Sequence, residues 1–261
     1  MAKATTAASG VPYPVDGSSV RPLPPTGRLT ASASSKSPKR GKAHQRRLAR
    51  TRRLFAFDRG LGSRLVAGAD EAGRGCLAGP LVAAAVLIDY EALSHADRRS
   101  LAGLHDSKQM SVEKRAELFP CVLSAATRVS VVVRCARGID DRGLHVTNIE
   151  ALANALERLR PEAEATCLVD GFSLRGCAVS HRAVVGGDGT SAAIAAASVI
   201  AKVTRDRYMR GAAEVHPGWG FEEHVGYSTP EHREAIERIG ISPLHRRSFQ
   251  SVAYSQLELA G

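Results

Sequence analysis

The chain predicts an α/β domain built on a mixed sheet, and three features of the sequence predict it. Five apolar, largely β-branched runs are bounded by Gly, Pro or Asp, the texture of strands. Four stretches carry apolar residues at helical spacing. Strands lead and helices fall between and after them, an order typical of a layered α/β fold. No internal repeat is visible.

The strands are read in order as LVAGA at 65–69, PLVAAAVLI at 80–88, TRVSVVVRCA at 127–136, TCLVD at 166–170 and CAVSHRAVV at 177–185. The first helix starts at Ser111, in SVEKRAELFPCVLSAA. A second starts at Asn148 and puts Ile149, Leu152, Ala153, Leu156 and Leu159 on one face. A long helix from Thr190 has a small-residue face that suits close packing. The last, PEHREAIERIG, has Pro230 at its start and Gly240 at its end.

Hydrophobic residues make up 44% of the 261 residues but aromatics only 5%, so the core must be built from Ala, Val, Leu and Ile. The formal charge of +10 suggests a polyanionic partner. That charge is local: residues 1–53 hold 12 Lys or Arg against one acid, Asp16, while the rest holds 24 against 25. The domain reading is therefore a basic, disordered tail over 1–53, rich in Ser, Ala, Pro and Gly, and a folded domain over 54–261. The tail reads equally as a nucleic-acid arm that acts by counterion release.

Cys76, Cys121, Cys135, Cys167 and Cys177 are odd in number and form no CxxC pair, which points to reduced thiols in a cytoplasmic protein. No apolar run is long enough to cross a membrane, and the start of the sequence lacks the apolar stretch of a signal peptide.

Four acids stand where apolar strands give way to glycine. Asp70 and Glu71 end the first strand, Asp170 ends a later one, and Asp188 opens the long helix. Carboxylates at strand ends can meet on one rim of a sheet and hold a hard cation such as Mg²⁺, which prefers oxygen ligands. Asp70 and Glu71 are neighbours and should face opposite sides, so sharing a site requires the strand to lose regularity there. Each acid also has a plain structural role open to it: Asp before Gly suits a turn, and Asp188 suits a helix cap.

The GRG tripeptide Gly73-Arg74-Gly75 is neither a P-loop, which needs GxxxxGK[ST], nor a dinucleotide GxGxxG, since Gly79 comes one residue late. Exposed backbone there could instead sense a ribose 2′-hydroxyl. Tyr227, in a loop after Gly226, either packs or lays its ring against a nucleotide sugar. His224, His232 and His245 lack the spacing of a zinc helix and read as packing or surface histidines.

With these residues in view, VAGADEAGRGCLAGPLVAAAV resembles the signature of prokaryotic ribonuclease HII. The likeness continues in order through HDSKQMSVEKR, TNIEALANAL, VDG, GDGTSAAIAAASVIAKVTRD and GFEEHVGYSTPEH with ISPLHRRSF, over roughly residues 54–250. The resemblance implies an RNase H-like fold, a five-stranded mixed sheet flanked by helices with a C-terminal helical extension. It implies a monomeric endonuclease that uses Mn²⁺ or Mg²⁺ on RNA/DNA hybrids and on DNA duplexes containing ribonucleotides, leaving 5′-phosphate and 3′-hydroxyl ends. By motif match, Asp70, Glu71 and Asp170 would be metal ligands and Asp188 the fourth active-site carboxylate. Gly73, Arg74, Gly75 and Tyr227 would read the ribose. Two positions depart from the family pattern, Gly186 and Val225, where lysines are expected; both losses bear on substrate affinity. A catalytically silent hybrid-binding protein is the rival reading, and the intact set of four acids argues against it.

Overall fold

The structure, a computed structural model, describes residues 38–249, with backbone only at 38–44, 46 and 47. The segment before Pro38, most of the expected tail, lies outside the described residues. Helix α1 spans Pro38–Arg59, so the boundary expected at 53/54 falls inside a helix. Composition hides this, because arginines dominate the segment. Yet Thr51, Leu54, Phe55 and Asp58 recur at helical spacing and are buried.

Strand β1 (Leu65–Ala72) follows, then β2 (Leu81–Asp89), α2 (His95–Ser100) and a 3₁₀ turn at Ser107–Gln109. Next come α3 (Val112–Ala125), β3 (Arg128–Arg134), α4 (Ala136–Arg142) and α5 (Leu144–Leu159). The chain continues through β4 (Thr166–Asp170), β5 (Arg182–Val184), a 3₁₀ turn at Gly187–Gly189 and the long α6 (Ala192–Val215). The short α7 (Phe221–His224) and α8 (Pro230–Ile239) form the C-terminal helical extension. The five strands lie in the order β3-β2-β1-β4-β5, with β1 antiparallel to β2 and parallel to β4. This is the mixed five-stranded sheet that the sequence predicts.

Two boundaries differ from expectation. The last strand shrinks from 177–185 to Arg182–Val184, because the His181 ring folds the preceding segment into a closed loop by accepting from the Leu174 N–H at 2.8 Å. The long helix begins at Ala192, and its N-cap is Ser191, whose hydroxyl accepts from the Ile194 N–H. Asp188 is therefore not the helix cap.

Strand alternation sorts the core into two layers. Val66, Val82, Ala84 and Val86 face α6, with Leu54 of α1 and Leu118 of α3 beside it. Ala67, Ala69, Leu81 and Ala85 face α5, against Leu152 and Leu156. The alanine-rich start of α6 allows a very close approach to β1. A Cβ added at Gly68 would stand 2.2 Å from the backbone of Ala193 and Ile194, so only glycine fits.

Helix α1 belongs to this core through Asp58. Its carboxylate accepts from the Tyr90 hydroxyl and, at 2.9 Å, from the Ala193 N–H, so α1 satisfies an orphan donor in the first turn of α6. Asp58→Ala would strand both donors in a fully buried site. The expected loss is about 2–4 kcal/mol, from one cap at ~1 kcal/mol and one buried polar group at ~1–3 kcal/mol. The exposed Arg53→Ala should stay within about 0.5 kcal/mol. Urea unfolding of the two variants checks this; equal midpoints would mean that α1 is not fastened through Asp58.

Candidate active site

The parallel pair β1–β4 sets the site. Their ladder ends at Ala69↔Val169, so Asp70, Glu71 and Asp170 project from the carboxyl rim of the sheet, where α/β folds place their ligands. Contrary to expectation, β1 does not lose regularity there. It stays paired with β2 through Ala72↔Val82, and Asp70 and Glu71 point to opposite faces. They share a site because β4 stops at Asp170, leaving the rim open on both sides. Each of the two carboxylates feels the charge of Asp170.

Asp70 is 2% exposed; one oxygen accepts the Glu71 N–H at 2.7 Å, and Ser198 of α6 lies beside its carboxylate. Burial, and then the Glu71 charge, push its pKa well above the usual carboxylate range. Burial also raises Glu71, partly offset by the Arg74 guanidinium 3.3 Å away. Asp170 accepts from the Gly187 N–H at 2.6 Å, which ties β4 to the turn carrying Asp188. Asp188 is pushed up to about 6 by burial and by the adjoining Asp106 carboxyl. One oxygen each of Asp70, Glu71 and Asp188 is buried with no hydrogen-bond partner.

Among the described residues no three acid, histidine or cysteine side chains form a ready-made metal cage. What the rim offers is unpartnered carboxylate oxygens with raised pKa values, in mutual repulsion. That donor set fits a hard divalent cation whose shell is completed by water and substrate phosphate.

A cleft of about 790 Å³ opens beside the acids, from Glu71 and the Gly73-Arg74-Gly75 loop across Ser107 and Lys108 to Tyr227. Gly73 has φ +98°, and a Cβ there would meet the Arg205 side chain at 2.3 Å. Gly75 differs: nothing lies within 4 Å of where its Cβ would be, so the fold itself leaves that space open. Tyr227 is 37% exposed and joined to Cys76 by an isolated antiparallel bridge. The Lys202 ammonium lies 4.8 Å from its ring centroid.

The structure thus places Glu71, Gly73, Arg74, Gly75 and Tyr227 on one cleft, sets Asp70, Asp170 and Asp188 within electrostatic reach at its rim, and adds others. Lys108 reaches to 3.8 Å from Asp188, and the Ser107 and Ser198 hydroxyls meet at 2.6 Å. These lie in HDSKQ and AAASVIAK, blocks of the family likeness whose polar residues have no periodicity or motif spacing to announce them. Neither Gly186 nor Val225 supplies a cation. Gly186 takes a left-handed φ of 63° in the turn before Asp188. Val225 is 7% exposed and left-handed at φ 43°, a strained state for a β-branched residue.

Behind Tyr227 the three C-terminal histidines pack together, and hydrogen bonds fix the tautomers of His232 and His245. His245 Nδ1 accepts from the Ser242 N–H at 2.8 Å, so its proton sits on Nε2. That proton points at His232 Nε2, 3.1 Å away, leaving His232 to donate from Nδ1 to the Tyr227 carbonyl at 2.8 Å. Burial depresses both imidazoles to about 4. The packing role expected for these residues is what the structure shows.

Comparison with known proteins agrees with this geometry. The family model described as Ribonuclease HII matches residues 67–252. Ribonuclease HII of Parvibaculum lavamentivorans is 41% identical over 242 residues, 92% of this chain and 83% of that one. The Nocardia farcinica ribonuclease HII is 49% identical over 187 residues, 72% of each chain. The crystal structure of ribonuclease H2 from Pyrococcus horikoshii superposes with a TM-score of 0.61 at 28% identity, covering 75% of this chain and 98% of that one.

The histidine pair predicts an acid-sensitive C-terminal extension. A base whose folded pKa lies at about 4, below the unfolded value of roughly 6.5, contributes stability that is full above the unfolded value. That stability falls away as pH drops from 6.5 towards 4. Trp219, the single tryptophan, lies 6.2 Å from the His245 ring and reports on it. In a His216→Gln background, which removes the other neighbouring imidazole, its fluorescence should change with a midpoint near 4. A midpoint near 6.5 would mean that the pair is solvated and not held neutral.

Proposed function

The chain belongs to the ribonuclease HII family, and from that premise we propose that Asp70, Glu71, Asp170 and Asp188 form its hydrolytic centre and that Gly73, Arg74, Gly75 and Tyr227 recognise the ribonucleotide. The protein is a ribonuclease H of type 2, a divalent-metal-dependent endonuclease. Its substrates in this proposal are the RNA strand of RNA/DNA hybrids and DNA duplexes with embedded ribonucleotides. These are nicked on the 5′ side of the ribonucleotide to leave 5′-phosphate and 3′-hydroxyl ends. It acts as a monomer in the cytoplasm, and its five cysteines, all free, suit a reducing compartment.

The observation that carries the reading is the set of orphaned carboxylate oxygens beside a glycine whose side-chain space is open. Asp70, Glu71 and Asp170 would hold Mn²⁺ or Mg²⁺. When bound, the ion supplies Lewis acidity at the phosphate and a lowered pKa for water. The remaining tasks fall to the chain. Lys108 tempers the charge of Asp188. Gly75 admits the sugar close to the backbone, where amide groups can meet a 2′-hydroxyl that DNA lacks. Tyr227, backed by Lys202, presents a ring edge to that sugar.

The test is a DNA duplex bearing one ribonucleotide, incubated with and without Mg²⁺ or Mn²⁺. A metal-dependent cut on its 5′ side is expected. Asp70→Asn should lower the rate at least about a hundredfold, roughly 2.7 kcal/mol of barrier. The same change relieves like-charge repulsion in a buried site, so the thermal midpoint should hold or rise. Near-normal cleavage by the folded variant would sink the assignment. Tyr227→Ala should lower cleavage at the embedded ribonucleotide and leave the metal-induced rise in thermal midpoint intact. Loss of both together would make Tyr227 structural support.

A further inference from the structure

A second cleft, about 270 Å³ in volume, opens where α1 meets α2, apart from the carboxylate rim. Arg52 and Arg59 of α1 face Arg98 and Arg99 of α2 across it, with His95 beside them and Phe55 and Tyr90 as the floor. No acid lines it. Among the described residues no carboxylate comes within 4.0 Å of any of the four guanidinium groups. The segment from residue 54 onward carries slightly more acids than bases, so its three arginines at this cleft, Arg59, Arg98 and Arg99, do not follow from bulk composition. Their like charges repel, and an anion is what would relieve them.

The floor narrows the kind of anion. Phe55 and Tyr90 meet edge to face with centroids 6.0 Å apart, and both are 7% exposed. Neither buried ring is offered for a base to stack upon, so the floor of the cleft meets charge and not sequence. Its extent suits a backbone: Arg52 and Arg59 are seven residues apart, about 10 Å along the helix. That length of duplex carries roughly three phosphates per strand, at about 3.4 Å each.

Hydrogen bonds also link α1 to the turn beside the active site. Arg50 Nη1 donates to Gln109 Oε1 at 2.9 Å, and Gln109 Nε2 donates to Asp106 Oδ2 at 2.8 Å. The same turn holds Lys108 over Asp188. Cationic groups thus run from the acids, through Lys108 and Arg50, along α1 to the arginine cleft. Nine of the 22 residues of α1 are Lys or Arg, and its one acid, Asp58, is buried.

We infer that the arginine cleft between α1 and α2 is a second docking surface, for the phosphate backbone of the duplex that the carboxylate centre cuts. This rests on the reading of the chain as a duplex nuclease. It adds a contact that holds the substrate without reading it and leaves the cut position to the glycine loop.

The experiment compares full-length wild type, Arg98→Ala/Arg99→Ala and Arg98→Lys/Arg99→Lys by salt titration of binding to a 30-base-pair RNA/DNA hybrid in Ca²⁺. Both substituted positions carry exposed side chains, and equal thermal midpoints verify the fold. Two lost phosphate contacts should flatten the slope of log affinity against log salt by about 1.8, at ~0.9 per contact. The lysine pair should keep the wild-type slope. Cut positions on the single-ribonucleotide duplex, mapped in Mg²⁺, should be the same for all three. Identical slopes for wild type and the alanine pair overturn the inference. So does a shifted cut site, which would place these arginines in the reading apparatus. Binding of polyglutamate lost in the alanine pair while the hybrid slope stays unchanged also overturns it, in favour of an acidic protein partner. If wild type fails to cut the duplex at all, the proposed function falls, while the slope comparison still decides the docking surface.

Discussion

Two buried guanidinium groups hold the active-site loops in place. Arg205 is wholly buried and donates to the carbonyls of Pro80, Val225 and Ala78 at 3.1, 2.8 and 3.0 Å. Arg246, 1% exposed, donates to Gly79 from Nε and Nη2 and to the Arg74 carbonyl from Nη1. The segment from Gly73 to Pro80 has no strand or helix of its own to satisfy its carbonyls, and unsatisfied buried carbonyls are costly. Two planar forks with five donors each do that work from α6 and from the C-terminal segment. A lysine has neither the reach in several directions nor the fixed plane. Burial is adverse to the charge, and it brings Arg246 down to about 10. The dipoles of several carbonyls replace the water that each guanidinium gave up.

That clamp explains why a strained residue persists at Val225. Its left-handed backbone costs on the order of 1–3 kcal/mol. The strain is maintained because the Val225 carbonyl is one of the acceptors of Arg205, while the Val225 side chain packs with Ala78, Met209 and Phe221. The outcome is that Gly226 and Tyr227 emerge from α7 at a fixed angle, with the Tyr227 carbonyl gripped in turn by His232. Tyr227 and the glycine loop are thus positioned by the same buried groups, and the rim acids by the β1–β4 ladder. The two systems meet on α6, which gives Ser198 to Asp70 and Arg205 to the loops.

The sheet and its acids were legible because they follow from local rules. Strand runs ending in Gly, and acids at those ends, can be read off residues 65–75 and 166–171 without knowing the fold. The helical face of α5 was legible too, although its start at Leu144 was not, since Gly143 gives no side-chain cap. Helix α1 was hidden because its arginines outnumber the four residues that dock it. The roles of Arg205 and Arg246 were hidden for a deeper reason. A buried arginine reads in sequence as a surface charge, and only the fold reveals that most of its acceptors are carbonyls about 120 to 170 residues away. The Lys108 contact is of the same kind, since it joins a turn after α2 to one before α6.

The charge layout points to an order of assembly. The rim presents Asp70, Glu71, Asp170, Asp188 and Asp106, with Arg74 beside Glu71 and Lys108 beside Asp188, so acids outnumber these cations at a site facing a polyanion. Left to itself it would repel a phosphodiester, and burial first, then neighbouring like charge, raises Asp70 and Asp188. Positive charge in the described part of the chain is concentrated instead on α1 and α2, beside the rim and not within it. Attraction at the flank and repulsion at the centre together favour a substrate that is first held by its distant phosphates. In the proposed reading it would settle on the rim once a divalent cation offset the acids. Affinity and chemistry would then fall to different groups: a monovalent salt would weaken the first through the arginines, and a chelator would abolish the second through the carboxylates.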